Sequence, residues 1–575
     1  MNALTRMMEN EMHSENQSSL WSRRAWLGKL ALPAAAAAFA AGHMEAETIV
    51  ATPENIGSAN LGARLYNIRD FGAKGDGTTL DTAALQKAID NCSADGGGTV
   101  LVPTGTFIIG TVELKSNVTL HISAAGKLVG SGDGKQYHAV EAIPLSGDTT
   151  LEDGNWALLF AVNAHNIALE GPGTIDGQGA QFHSAVRGTP PPSGLGGLKR
   201  PYHVLAYRCE NLRIKNLSLL DCAYHSIRII QSRRIALDGL FIHNRVNGNN
   251  DGFHLISTEF VTINNCVVQC GDDACAMFGS CKNIAITNSY FSTRWSVFRF
   301  GGGHAENITV SNCVLSEVFG CPIKFQGDPG SKFENIAFSN LVLNNVTGPI
   351  SISIGGRLPA PNQDVHVVVR NISFHHIHGT VTTAPPSVLS ESNLHIGVRP
   401  GEGHSAIVLN NVNHSVLENI SFSNVHLRFG GGGTKEEARR EVPQVFGEYF
   451  ALGPIPAYGL YARNCRGLTL QDVRFEVETP ELRPAIILEH VEDVAVNGLS
   501  VEGNPEAEAV LRLKDTKHAY LAAVRVLAPS STFLRVEGAG CENIALDGGD
   551  LKRAAKAVDY AEGASEKAVR IRSLA

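Results

Sequence analysis

The chain has 575 residues, a formal net charge of −8, 43% hydrophobic residues and a mean hydropathy of −0.02. The acidic balance argues against a nucleic-acid partner, and the composition is that of a soluble globular protein, neither membrane-embedded nor disordered. The 59 glycines suit a fold with many tight turns.

Near the N-terminus, Ser22-Arg23-Arg24-Ala25-Trp26-Leu27 forms a twin-arginine pattern. An apolar, alanine-rich run over 30–41 follows, with small residues at Ala40 to Gly42. These features come in the order of an export signal. The run falls short of the ~20 apolar residues that a membrane span needs. Residues 1–45 are therefore read as a twin-arginine signal peptide, with the mature protein periplasmic or extracellular. No second long apolar segment occurs, so no membrane span is expected. The eleven cysteines are an odd number, spread along the chain, and show no CxxC…CxxC zinc spacing. They read mostly as packed thiols, with a few disulfides open to formation after export.

The mature chain begins with YNIRDFGAKGDG over 66–77, then TAALQKAIDNCSADGGG. Ala84, Leu85, Ala88 and Ile89 fall at helical spacing, and Gly96, Gly97 and Gly98 stop the helix. Strand-like runs follow, TVLVPTGTFIIG and VTLHISAAGKLVG, with Pro and Gly at the corners. One helix ahead of many short strands suits a cap on the open end of a solenoid.

From Cys209 onward one phrase recurs: a polar residue, often Glu-Asn, then alternating apolar residues, then Asn or Asp, then another strand. CENLRIKNLSL, TEFVTINNCVV, FENIAFSNLVL and CENIALDGGDL are examples. The aligned positions are Asn211, Arg234, Phe260, Asn283, Asn307, Asn335, Asn371, Asn419, Gly467, Asp493 and Asn543. Repeats with a period in the twenties mean a solenoid, and alternation within each copy means strands with one face buried. The leucine-rich repeat has this period but a leucine pattern that is absent here. An all-β, single-stranded parallel β-helix over 60–560 is expected. The recurrent asparagines are placed at corners, where Asn tolerates left-handed backbone angles, stacked as ladders. Two intervals are double length, from Asn371 to Asn419 and on to Gly467. Each holds either two coils or one coil with an insertion. The stretch over 429–456 breaks the strand pattern and contains a short charged helix, so an insertion near 429–456 is expected. Residues 380–392 read as a loop.

The chemistry centres on NNDGFHLISTEFVTINNCVVQCGDD over 249–273. If Asp251 and Asp272 occupy equivalent places on successive coils, their carboxylates lie close, because neighbouring strands are ~4.8 Å apart. Asp272 and Asp273 share one groove only if the backbone bends at Gly271. Like charges this close raise at least one carboxyl's proton affinity. One acid can then protonate a leaving group while others hold and deprotonate water, as glycoside hydrolysis requires. Turn aspartates without chemistry and a carboxylate metal site remain open on spacing alone.

At these residues the chain resembles glycoside hydrolase family 28, the polygalacturonase and rhamnogalacturonase family. The resemblance covers most of the mature chain. YNIRDFGAKGDG, LDTAALQKAID, GGGTVLVPTGTF and LKSNVTLHI match bacterial members, though lyases and phage spikes share this entry block. The family's Asn-Thr-Asp motif appears as Asn249-Asn250-Asp251, its Gly/Gln-Asp-Asp motif as Gly271-Asp272-Asp273, and its Arg-Ile-Lys motif as Pro322-Ile323-Lys324. The resemblance implies a right-handed, pectin-lyase-like β-helix and metal-free hydrolysis with inversion, without a cofactor. Asp272 would be the general acid, and Asp251 and Asp273 would position and activate water. Inversion wants carboxyl groups ~6.5–9.5 Å apart.

Two departures stand out. The family's Gly-His-Gly motif is absent; its place holds Ser292-Thr293-Arg294-Trp295-Ser296, and His304 comes too late. Pro322 replaces the motif arginine, so Lys324 alone is a weaker claim to plain polygalacturonate, and an altered pectic substrate is expected. In Val297-Phe298-Arg299-Phe300, alternation turns Arg299 to the groove, where it can replace the missing cation. Lys324 is flanked by Ile323 and Phe325, both expected to be buried. His225, about one period before the acid coil, and Asn249 complete the expected substrate contacts. His254 is as readily a bystander as a groove residue, and Cys270 and Cys275 read as packing. The expected activity is that of an exported inverting glycosidase on galacturonic-acid-containing polysaccharide or its oligosaccharides, acting as a monomer. A polysaccharide lyase and a noncatalytic carbohydrate-binding β-helix are the rival readings.

Overall fold

The chain winds as a right-handed parallel β-helix with two sheets running its length, one of 26 strands and one of 15. The computed structural model describes residues 64–145, 154–184, 189–355, 366–383, 399, 401–412, 415–445 and 447–572. The expected signal peptide and most of the loop expected over 380–392 lie outside the described residues. Residues 60–575 form one unit. Among the described residues no helix is long and apolar enough to cross a membrane.

The repeat phrase explains the winding. In the strand Lys332–Val346, Phe333, Ile336, Phe338, Leu341 and Leu343 point into the core. Asn335 and Asn340 interrupt it with φ of 56° and 52°. A left-handed residue re-aims the strand without ending it, so the sheet bends around the core. The same slot in every aligned copy is left-handed, from Asn211 (φ 59°) to Asn543 (φ 53°), including Arg234, Phe260, Gly467 and Asp493. The side chains join into ladders: Asn371 Nδ2 donates to Asn335 Oδ1 (3.0 Å), and Asn419 Nδ2 to Asn371 Oδ1 (3.2 Å). A second corner carries its own, with Asn340 on Asn312 and Asn312 on Asn288. Inside, Phe338, Phe374 and Phe422 stack at 5.2 and 4.8 Å, close to the strand spacing.

The strands Val368–Val381, Val416–Phe429 and Arg466–Val477 pair directly and in register. Each double-length interval is therefore one coil carrying extra chain. After Phe429 the chain leaves the sheets, makes a short helix Lys435–Ala438 with a Thr434–Glu437 capping box, then a turn Tyr449–Leu452, and returns at Leu460–Arg463. Val442, Tyr449, Leu452 and Ile455 pack with Cys321, Val408 and Tyr461 on the outer face of the 15-stranded sheet. Three further corner positions lie outside the aligned set: Asn117 (φ 63°) and Asn166 (φ 54°), which continue the ladder from Asn211, and His518 (φ 53°) in KHAYLAAVRV.

The N-terminal helix Thr82–Ala94 buries Leu85, Ala88, Ile89 and Cys92 against the first strands, Leu65–Asn67, Gly98–Val102 and Val118–Ile122. Burial of Leu85 or Ile89 contributes about 1.5–3 kcal/mol. The helix stops at a glycine run in which a Cβ on Gly97 would meet Asn117 O at 2.4 Å. All eleven cysteines are buried free thiols, so the disulfides left open above do not form here.

Candidate active site

One column of in-register residues on the 15-stranded sheet runs Arg228, His254, Ala276, Arg299, Lys324. The acids stand at the edge of this column, in the turns that deliver the chain to it. Asn244 Nδ2 donates to the carbonyls of Tyr224 and Asp251. Asn250 Nδ2 donates to those of Cys222 and Tyr224. These bonds fix the loop and present Asp251. Gly252 is required next, because a Cβ there would lie 2.5 Å from Ala274 O.

Phe253 pairs with Cys275, and Gly252 N donates to Asp273 O (3.0 Å). Asp251 therefore stacks on Asp273, and the expectation that Asp272 holds the equivalent place is corrected by one residue. The expected bend is present. The strand Val267–Cys270 ends at Gly271, whose N–H donates to Asn244 O and Asn250 O. Both aspartates thereby reach the groove from a turn, with Asp272 half-buried and Asp273 buried.

A groove of about 320 Å³ is lined by His225, Asn249, Asp251, His254, Asp272, Asp273, Phe278, Trp295, Arg299 and Glu448. It gathers six of the seven residues singled out from sequence. Lys324, the seventh, lines the adjoining space with Trp295, Arg399 and Glu448. Burial, then the Asp273 charge, pushes the Asp272 carboxyl up to about 7. Burial and the charges of Asp272 and Asp273 raise Asp251 well above the ordinary carboxylate range. The cluster thus holds at least one proton at neutral pH. Asp273 Oδ2 accepts from Arg299 Nη1 (3.0 Å), while Asp273 Oδ1 is buried with no hydrogen-bond partner among the described residues.

Of the two readings of His254, the structure favours the groove residue: its Nδ1 lies 2.7 Å from Asp251 Oδ2. Its ring is sandwiched between His225 (4.6 Å) and Phe278 (5.1 Å). The fully buried Arg228 donates from Nη1 to His225 Nδ1 (3.2 Å). That leaves the other ring nitrogen of His225 facing Asp251 Oδ1 at 3.6 Å. Burial pushes both imidazoles well below their usual pKa, so both are neutral near pH 7. His225, Asp251 and His254 bring three metal-ligating atoms within 4.8 Å of one another. The two rings are parallel to within 11°, however, which turns their nitrogens side by side and not toward a shared centre, and Arg228 adds a positive charge beside them.

Phe298 and Phe300 are in the core and Arg299 faces the groove; Ile323 and Phe325 flank Lys324 in the same way. Asn249 Oδ1 accepts from Arg200 Nη2 (3.2 Å). Where the histidine motif was expected, the Thr293 hydroxyl donates to the Asp272 carbonyl, and Trp295 walls the groove. His304 is exposed on the larger sheet and lines a different depression, with Asp328. Glu448 and Trp295 had no sequence signal. Glu448 lies 124 residues from Lys324, its partner at 2.9 Å.

The sequence profile described as Glycosyl hydrolases family 28 matches residues 92–399, more than half of the chain. The chain belongs to this family. It is a family 28 glycosidase, and its relatives fit that placement. A probable polygalacturonase of Arabidopsis thaliana is 28% identical over 335 residues, 55% of this chain and 71% of the relative. A polygalacturonase of Malus domestica is 28% identical over 347 residues, 56% of this chain and 70% of the relative. The family 28 exopolygalacturonase of Yersinia enterocolitica has the same fold, with a TM-score of 0.56, 18% identity and coverage of 76% of this chain and 78% of its own. The family 28 match spans all seven residues read from sequence, the six in the groove and Lys324 beside it.

Proposed function

We propose that this family 28 glycosidase hydrolyses glycosidic bonds in pectic, galacturonic-acid-containing polysaccharide or its oligosaccharides, with inversion at the anomeric carbon. The observation that carries the reading is the division of labour among three grouped carboxyls. Asp272 is the most accessible and holds its proton up to about pH 7. It donates that proton to the glycosidic oxygen as the bond to the anomeric carbon breaks. Asp273, paired with Arg299 and lining the groove, positions the water. Asp251, oriented by His254 and sharing the proton of the cluster with Asp272, completes the group around the water. The water attacks the opposite face of the sugar and loses its proton to this pair, and exchange with solvent resets both sides. Arg299, His225 and Asn249 contact the sugar from the groove walls; Lys324 acts on it through Glu448. The names of the relatives support the pectic substrate.

The test is a screen against polygalacturonan, rhamnogalacturonan and short pectic oligomers. New reducing ends without ultraviolet absorbance, released first as the inverted anomer by NMR, are expected. An ultraviolet-absorbing unsaturated product would make the enzyme a lyase, and binding without turnover would make it a carbohydrate-binding module. Export rests on the Arg23-Arg24 pattern; replacing both by Lys should hold the precursor in the cytoplasm on cell fractionation.

A further inference from the structure

The cations of this groove are already answered by an acid of the same chain. Arg299 and Lys324 are in-register neighbours on the 15-stranded sheet. Glu448 reaches them from the inserted wall, with Oε2 2.9 Å from Lys324 Nζ and Oε1 4.0 Å from Arg299 Nη2. The Lys324 side chain is 1% exposed, so its ammonium has no bulk water to turn to and Glu448 is its counter-ion. Glu448 is itself 25% exposed and lines the same groove as the three aspartates. Behind it, among Trp295, Arg399, Tyr449 and Phe450, only about 10 Å³ is free. That is room for about one water, not a sugar.

Three other cations nearby are held by stacking or hydrogen bonds. The Arg399 guanidinium is sandwiched between the Trp295 and Phe450 rings at 4.0 and 4.1 Å. Arg228 lies beneath His225, and Arg200 is bonded to Asn249 and to the carbonyls of Gly197 and Gly248. Among the described residues lining the groove, four carboxyl groups face one cation, Arg299.

We infer that Glu448 is a specificity-determining residue. Its carboxylate stands where a sugar carboxylate would otherwise meet Lys324 and Arg299, so the sugar unit bound there is uncharged: a neutral sugar, or a uronate whose carboxyl is esterified. A free uronate would set a second carboxylate against Glu448 in a groove that already holds three acids, and like charges there disfavour it. An uncharged unit meets Glu448 as an acceptor for its hydroxyls. This rests on the pectic reading and narrows it.

The experiment compares trigalacturonate with its methyl ester, which differ at the carboxyls by a charge and a methyl group. The wild type and Glu448→Gln are each assayed for kcat/KM by reducing-end release. The ratio of ester to acid should fall at least tenfold in Glu448→Gln, through a gain on the acid. A ratio unchanged within twofold, with both compounds cleaved, overturns the inference and leaves the pectic reading standing. If the wild type cleaves neither compound nor any pectic oligomer, the pectic reading falls, and the inference with it. Should Glu448→Gln fail to fold because Lys324 is left unpaired, the double variant combining Lys324→Met with Glu448→Gln removes the ion pair as a unit. The same tenfold fall is expected there, because Arg299 remains to receive the acid.

Discussion

Replacing Asp272 by Asn tests both halves of its assignment at once. The amide keeps the shape of the side chain and has no proton to give. Loss of a general acid lowers kcat/KM by about 10²–10⁴. The same substitution has a stability signature. In the folded protein burial and Asp273 lift the Asp272 carboxyl from 3.8 to about 7. A folded pKa above the unfolded one means full stability below pH 3.8, lost progressively as the pH rises through 7. A shift of about three units corresponds to roughly 4 kcal/mol. The half-exposed groove and the sharing of charge with Asp273 leave about half, roughly 2 kcal/mol, as the penalty the wild type carries above pH 7. The amide introduced by Asp272→Asn does not ionise and escapes that penalty. Melting curves from pH 3.5 to 8 should therefore coincide at the acid end and separate by about 2 °C above pH 7, with the variant the more stable. Reducing-end assays on a pectic substrate supply the kinetic half. A variant with more than a tenth of wild-type activity, or a stability gap that is constant across pH, refutes the reasoning.

Arg299→Met removes the cation paired with Asp273 at 3.0 Å. Its kcat/KM should fall about a hundredfold, and the alkaline limb of the pH–rate profile should move to higher pH, because the Arg299 charge also holds the Asp272 carboxyl down. His254→Phe keeps the ring stack with His225 and Phe278 but loses the bond to Asp251. An unchanged melting temperature with a roughly tenfold loss of kcat is expected; unchanged kcat would deny His254 a positioning role. In the wild type kcat/KM should decline above about pH 7 as Asp272 ionises, which a pH–rate profile reads directly. Away from the groove, Asn371→Ala should cost about 2 kcal/mol by urea denaturation, from its left-handed φ of 57° and two ladder bonds. Asn371→Gly should recover about half of that, because glycine keeps the backbone angle without strain.

Most of the winding was legible because each coil states its own phase. Eleven aligned positions all proved left-handed, even where Arg234 or Phe260 stands in for Asn. The copy at His518 was passed over because it lacks both the leading Glu-Asn and the closing Asn, so only its strand alternation remained as a signal. The double-length intervals were ambiguous because residue counts do not distinguish an extra coil from a loop; pairing of Ile372 with Ile420 does. The acids were legible as a group, but not which of the Asp272–Asp273 pair stacks on Asp251. That depends on the register at Phe253 and Cys275, a difference of one residue. Arg299 and Lys324 followed from alternation with buried neighbours. His254 stayed open in the sequence because its partner is fixed by a side-chain direction, and Glu448 carried no signal because no local pattern ties an inserted loop to a strand so far back in the chain.

The rise of each coil is set by strand spacing, whatever length of chain hangs from its corner. The coil from Asn371 to Asn419 carries 48 residues, yet its strands advance by the same step as their shorter neighbours. A floor built this way keeps its reacting groups at constant pitch while the walls grow, shrink or change charge. In this enzyme the three aspartates sit in the turns that feed the floor and Glu448 in a wall, so on the role proposed for Glu448 the choice of sugar can drift in evolution, or be redesigned, by trading a single overhang while the aspartates keep their spacing.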